Sequence, residues 1–101
     1  MSFRRRRFAE AIDRQLDLFA QENTDLLRRC DEAQQAYDAA EREDAQQRWS
    51  EYLDLVEIAT DELEEMRDAF AGTLEEEVAD EYEAAFDRAV RKRFPILRAG
   101  G

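Results

Sequence analysis

The chain has 101 residues, with 15 basic and 26 acidic side chains, a formal net charge of −11 and no histidine. This length allows one domain with one modest core, and the lack of histidine excludes the usual general base and the nucleophile pairs that depend on it. Because no run of about 18 apolar residues occurs, the sequence predicts no membrane-spanning segment.

Helix-forming residues dominate the composition. With only three glycines and one proline, the chain lacks the turn residues that separate short strands. Alanine, leucine, glutamate, glutamine and arginine all favour helices. The sequence therefore predicts an all-α fold in which residues 1–101 form a single helical domain.

The first predicted helix covers about residues 4–40. Apolar residues recur every three or four positions from Ala9 to Ala40, and this heptad pattern continues in phase through Asn23. A polar residue at such a position can specify the register of a coiled coil. The alternative is that the stretch QENTD, residues 21–25, interrupts the helix and contains a helix cap.

The second predicted helix covers residues 44–71. Its apolar positions run from Ala45 to Phe70 and are one residue out of step with the first pattern, so a turn must separate the two helices. Asp44 followed by Gln47 has the form of a helix start.

The third predicted helix covers residues 74–93. Gly72 suits the left-handed position that ends the preceding helix. Thr73 and Glu76 have the spacing of a capping box that would open the next helix. The helix ends before the single proline, which leaves residues 94–101 as a tail.

Short turns between these helices predict a three-helix antiparallel, up-down-up bundle built on a long coiled-coil-like helical hairpin. Because the third helix is short, we expect its end to leave the tip of that hairpin uncovered. The candidate interaction residues at this tip are Tyr37, Trp49, Tyr52 and Leu53. Exposed apolar groups of this size mark association surfaces, and either a second subunit or the tail segment 94–97 is expected to cover them.

Charge is distributed unevenly: residues 1–30 carry a net +2, residues 31–87 a net −18 and residues 88–101 a net +5. The N-terminal basic patch consists of Arg4, Arg5, Arg6 and Arg7. Cations at a helix N-terminus oppose the macrodipole, so we expect acids nearby. The up-down-up order brings four candidate acids to the same end, which would clasp the arginines: Asp68, Glu75, Glu76 and Glu77.

Carboxylates at helical spacing in residues 61–68 and 77–83 could bind a hard cation. The chain nevertheless lacks the histidines of a di-iron bundle and has no calcium-loop motif, and a solvated helix face is the simpler interpretation. Cys30 lies on the apolar pattern, where cysteine serves as a small hydrophobic residue, and as the sole cysteine it allows no internal disulfide. We expect no catalytic residue, cofactor or metal, and a reducing, cytoplasmic location.

The sequence thus indicates a non-enzymatic helical-bundle protein that acts by protein–protein association. We expect self-association as a homodimer through the aromatic hairpin tip, with an acidic flank available to a basic partner. The alternative is binding of nucleic acid or an anionic membrane surface through the arginine-rich N-terminus, which the net charge of −11 opposes at long range.

Overall fold

The structure is a computed structural model and describes residues 7–98. This part of the chain is helical throughout and contains no strand, which confirms the predicted all-α class. Its four α-helices are followed by a single 3-10 turn at Pro95–Leu97. The helices are α1 (Ala9–Glu22), α2 (Thr24–Asp38), α3 (Ala45–Ala71) and α4 (Glu76–Arg93).

The predicted three-helix bundle is not what the described chain forms, because the first predicted helix is two helices. Asn23 lies between α1 and α2 with φ −124° and ψ 30°, outside helical geometry. The interruption falls inside residues 21–25, the alternative position suggested by the sequence. The heptad pattern stays in phase across it, so periodicity alone favoured one continuous helix.

Local hydrogen bonds explain the break at Asn23. Its backbone N–H (2.9 Å) and its side-chain Nδ2 (3.0 Å) both donate to the Phe19 carbonyl. The next residue, Thr24, donates its hydroxyl to the Ala20 carbonyl at 3.1 Å. Short polar side chains that bond to preceding carbonyls compete with the regular helical ladder and bend helices.

The turn between α3 and α4 differs from the one predicted. Gly72 has φ −63° and ψ −14°, a right-handed conformation, so the expected left-handed ending is wrong. The Thr73 hydroxyl donates to the Phe70 carbonyl (2.7 Å) and caps no helix. The chain instead extends at Glu75, and α4 begins at Glu76, two residues later than predicted.

Tyr82 of α4 is at the centre of the half of the molecule formed by α1, α4 and the end of α3. Its side chain is fully buried, and its ring lies 5.4 Å from that of Phe8 and 4.6 Å from that of Phe70. The Tyr82 hydroxyl donates to Oε1 of Gln15 at 2.8 Å. Aromatic contacts of this geometry add stability beyond the burial of area.

The second half of the molecule is a hairpin of α2 and the beginning of α3. These helices run antiparallel, since the Tyr37 ring near the end of α2 lies 5.0 Å from the Trp49 ring near the start of α3.

An ion pair of 2.6 Å between Asp17 and Arg93 links α1 to the end of α4. The molecule is elongated, with principal extents of 50 × 24 × 21 Å.

One apolar core runs through both halves, and among residues 7–98 no polar or charged residue is buried with it. Its buried members are Phe8, Ile12, Leu16, Phe19, Cys30, Tyr52, Val56, Ala59, Leu63, Ala71, Tyr82, Phe86, Phe94 and Leu97.

Candidate functional site

The C-terminal tail covers part of the predicted interaction surface. Tyr52 is only 2% exposed, and its hydroxyl donates a hydrogen bond to the Ile96 carbonyl. Phe94 and Leu97, on either side of that carbonyl, are buried in the core. The tail segment 94–97 is therefore the cover over Tyr52, which makes this tyrosine a core residue of the chain.

The other three predicted residues keep accessible surface in the described part of the chain. Tyr37 is 36% exposed and Leu53 is 37% exposed. Trp49 is partly buried, with its ring 5.0 Å from that of Tyr37 and 5.4 Å from that of Tyr52. We call Tyr37, Trp49 and Leu53 the tip patch.

Helical periodicity explains why the tip patch lacks a cover. Thr60 lines the cleft between α3 and α4, together with residues one and two turns further along α3. Leu53 is seven residues before Thr60 and so lies on the same face of α3. Within residues 7–98 the tail is hydrogen-bonded to α3 at Tyr52, and the segment Ala45–Glu51, which includes Trp49, extends α3 by about 10 Å beyond that bond.

A second surface, not predicted from the sequence, lies between α2 and α3 and is lined by four apolar and five charged residues. It is an open groove of about 550 Å³, and Ile58 within it is 53% exposed. We define the open groove by its apolar residues Ala33, Ala36, Leu55 and Ile58. Leu55 and Ile58 are the sequence signal for this groove. Both are large apolar residues that lie next to the heptad positions Val56 and Ala59 and do not belong to the heptad pattern.

Of the N-terminal basic patch, Arg4, Arg5 and Arg6 lie outside the described residues. Arg7 is exposed, and its guanidinium carbon lies 5.6 Å from the centre of the Phe8 ring. Within residues 7–98, no ion pair joins Arg7 to any of the four predicted clasp acids. The clasp stays a prediction for Arg4–Arg6.

The predicted clasp acids have local roles of their own. Asp68 accepts a 2.9 Å hydrogen bond from Nε of its neighbour Arg67, which also bonds to Asp87 of α4 at 3.1 Å. These carboxylates raise the pKa of the half-buried Arg67 guanidinium. Glu75 precedes α4, and Glu76 and Glu77 lie in its first turn, where the macrodipole favours acids.

The end of α4 and the tail carry accessible cations. Arg91 and Arg98 line the cleft between α3, α4 and Leu97. Arg91, Lys92 and Arg98 are exposed, and within the described chain none of them forms an ion pair. We call these three residues the basic end.

The ionisable groups of the core are held neutral. Burial raises the pKa of the Cys30 thiol and of the Tyr52 and Tyr82 hydroxyls, which disfavours the thiolate that a nucleophilic cysteine needs. Among residues 7–98, no group of three His, Cys, Asp or Glu side chains is arranged to hold a metal ion. None of the helices in this range is both long and apolar enough to cross a bilayer.

Comparison of the chain with family models, with curated proteins and with solved structures found no match. The tip patch, the open groove and the basic end are therefore the features from which a function can be argued.

Proposed function

We propose that this protein acts by protein–protein association without catalysis, and that it forms a homodimer through the tip patch. The observation that supports this function is the position of Leu53 and Trp49 on the face of α3 that α4 and the tail cover elsewhere. A second copy placed there would continue the same apolar core over the uncovered part of the hairpin.

The composition of the tip patch suits an interface. Tyrosine and tryptophan are among the residues most enriched in those that dominate binding energy. Here their rings are already in contact, with centroids 5.0 Å apart and planes tilted by 52°, so little side-chain freedom is lost on association. A two-fold dimer would use the same patch on both subunits. Because two chains of net charge −11 repel each other at long range, the apolar contact has to supply the attraction.

The test replaces two exposed leucines by aspartate, each in a separate variant: one leucine lies in the tip patch and the other lies elsewhere. Leu53→Asp places a charge in the tip patch, where Leu53 is 37% exposed, whereas the control Leu18→Asp changes a leucine of α1 that is 48% exposed. We expect light scattering at protein concentrations on the order of tens of micromolar to give twice the chain mass of 11.9 kDa for wild type and for Leu18→Asp. Leu53→Asp should give the chain mass alone.

Thermal unfolding followed by circular dichroism checks that both variants fold, and Trp49→Ala offers a second disruption of the patch. A wild-type protein that stays monomeric at these concentrations would rule out the homodimer. Equal dissociation of the Leu18→Asp and Leu53→Asp proteins would place the contact elsewhere.

The alternative function makes an opposite prediction about the N-terminal arginines. Replacing Arg4–Arg7 by alanine should leave self-association through the tip patch unchanged. Salt-sensitive binding of duplex DNA, RNA or anionic vesicles that disappears in the same variant, in a protein that does not dimerise, would favour the alternative.

A further inference from the structure

We infer that the two chains of this homodimer lie antiparallel and end to end, with the acidic α2–α3 turn of each chain against the basic end of the other. The inference rests on the proposed self-association and adds the orientation of the two copies and the polar contacts that select it.

The first step is the location of the basic end relative to the tip patch. The Tyr52 hydroxyl donates a hydrogen bond to the Ile96 carbonyl, and Arg98 follows Ile96 by two residues. Arg98 and Arg91 line the cleft whose first α3 residue is Thr60, about 12 Å further along α3 than Tyr52. Glu64 and Asp87 line the same cleft, but Asp87 is already paired with Arg67. Cations without an ion-pair partner among residues 7–98 therefore flank the apolar surface on the side of the tail.

The second step is the charge of the turn on the opposite side of the tip patch. The turn is closed by a 2.9 Å bond from the Asp44 N–H to the Glu41 carbonyl. Its exposed acids Glu41, Glu43 and Asp44 outnumber the single base Arg42, and none of these side chains forms an ion pair within the described chain. About 10 Å of α3 separates this turn from the tail of its own chain.

A two-fold axis through the tip patch brings these opposite charges together. If the second chain runs antiparallel, its hairpin tip enters the space beyond the tail of the first chain, and its acidic turn lies against Arg91 and Arg98. The symmetry repeats this contact at the other end, so that apolar residues form the centre and two sets of opposite charges form the rims.

The charge layout disfavours a parallel arrangement of the same patches. Two parallel hairpins would place one acidic turn beside the other and one basic end beside the other. Like charges in direct apposition are unfavourable, whereas complementary charges orient partners and suppress wrong registers. In the antiparallel arrangement the acidic turn of each chain lies near the basic end of the other, so the uneven charge of the chain produces attraction at short range.

The test reverses charge at each side of the contact and uses a control with the same net charge. Glu41→Lys with Glu43→Lys changes the net charge from −11 to −7, since each replacement adds two charges. The control, Glu62→Lys with Glu65→Lys, makes the same change at exposed positions on α3 that do not share the face of Leu53. General repulsion is reduced equally in both variants, so a difference between them reports a local contact of the turn.

We expect sedimentation velocity to show at least about tenfold weaker self-association for the turn variant than for the control, which should match or exceed wild type. The variant Arg91→Glu with Arg98→Glu should be weakened similarly. An equimolar mixture of the turn variant and the Arg91/Arg98 variant should form a heterodimer in native mass spectrometry, because both of its contacts again join opposite charges.

Two results distinguish failure of the orientation from failure of the homodimer. If wild type dimerises and the turn variant dimerises as strongly as the control, the inferred orientation is wrong while the proposed self-association stands. If the mixture yields no heterodimer although wild type dimerises, the orientation is again wrong. If wild type itself stays monomeric, both proposals fail.

Discussion

At the scale of single residues, Tyr82 combines an apolar ring contact with a buried hydrogen bond. Its ring contacts Phe8, which precedes α1, and aromatic residues of α3 and α4. Its hydroxyl donates to Gln15 at 2.8 Å. Because Tyr82 is fully buried, removal of the hydroxyl breaks a bond between this side chain and Gln15 inside the protein.

We expect Tyr82→Phe to lower the free energy of unfolding by about 0.5 to 1.5 kcal/mol, the net contribution of one such hydrogen bond. The partly accessible amide of Gln15 can recover a bond with water, which limits the loss. The control Tyr37→Phe removes a hydroxyl from an exposed ring and should change stability by less than about 0.5 kcal/mol. Urea unfolding at micromolar protein measures both; equal losses would show that the Gln15 bond contributes nothing specific.

Burial also makes the stability of the protein depend on alkaline pH. It raises the pKa of Tyr82 above the ordinary value of 10.0, so above that pH the unfolded chain loses a proton that the folded chain keeps. The protonated hydroxyl therefore makes its full contribution to the free energy of unfolding below pH 10, and this contribution is lost as the pH rises through the pKa of the folded state.

The same sign applies to Tyr52, whose pKa burial also raises. We expect urea unfolding above pH 10 to show a steeper loss of stability for wild type than for the double variant Tyr52→Phe with Tyr82→Phe. Parallel pH dependences for the two proteins would contradict this prediction.

At the scale of elements, the α3–α4 turn determines how α4 is placed against α3. Gly72 lies there in a right-handed conformation, φ −63° and ψ −14°, which any residue adopts without strain. A Cβ added to Gly72 would meet the carbonyl oxygens of Asp68 and Ala69 at 3.4 and 3.6 Å, ordinary contact distances. The glycine is therefore replaceable, contrary to its predicted left-handed role.

We expect Gly72→Ala to raise the free energy of unfolding by about 0.4 to 1 kcal/mol, because alanine reduces the conformational freedom of the unfolded chain. The converse control Ala69→Gly, at an exposed position inside α3, should lower it by about 0.5 to 1 kcal/mol. A destabilised Gly72→Ala protein would indicate a left-handed turn and contradict the geometry described here.

The elements also show which local predictions are reliable. The second predicted helix, residues 44–71, and the observed α3, Ala45–Ala71, have nearly the same bounds, because an apolar pattern and its phase shift are local properties. The break at Asn23 depends on side-chain bonds to Phe19 that leave the apolar pattern intact. Periodicity therefore identified the helical segments but not the number of helices.

At the scale of the whole molecule, the proposed end-to-end dimer has a distinctive shape. Two bodies 50 Å long that overlap from the acidic turn at Asp44 to the level of Thr60, about 24 Å, would span roughly 75 Å. A dimer formed side by side through the open groove would stay near the length of one chain. Small-angle X-ray scattering of the wild-type dimer should give the longer dimension, and a maximum dimension close to 50 Å would exclude the end-to-end arrangement.

The candidate site, like the helices, was predictable from the sequence only in part. Tyr37, Trp49 and Leu53 were predicted from the sequence as an interaction surface because the third helix is shorter than the hairpin; in the structure Tyr37 and Leu53 are exposed and Trp49 is partly buried. Ile58 and the open groove were not identified, since an apolar residue off the heptad pattern does not indicate whether another helix covers it.

The sequence by itself determined the helical class, the approximate ends of α3 and the separation of charge along the chain, because these depend on neighbours within a few turns. The tertiary structure alone decided that the tail covers Tyr52, a contact between residues 44 positions apart, and that Arg93 pairs with Asp17 of α1. Such contacts depend on where each helix ends and at what angle it packs, and composition and spacing do not encode those quantities locally.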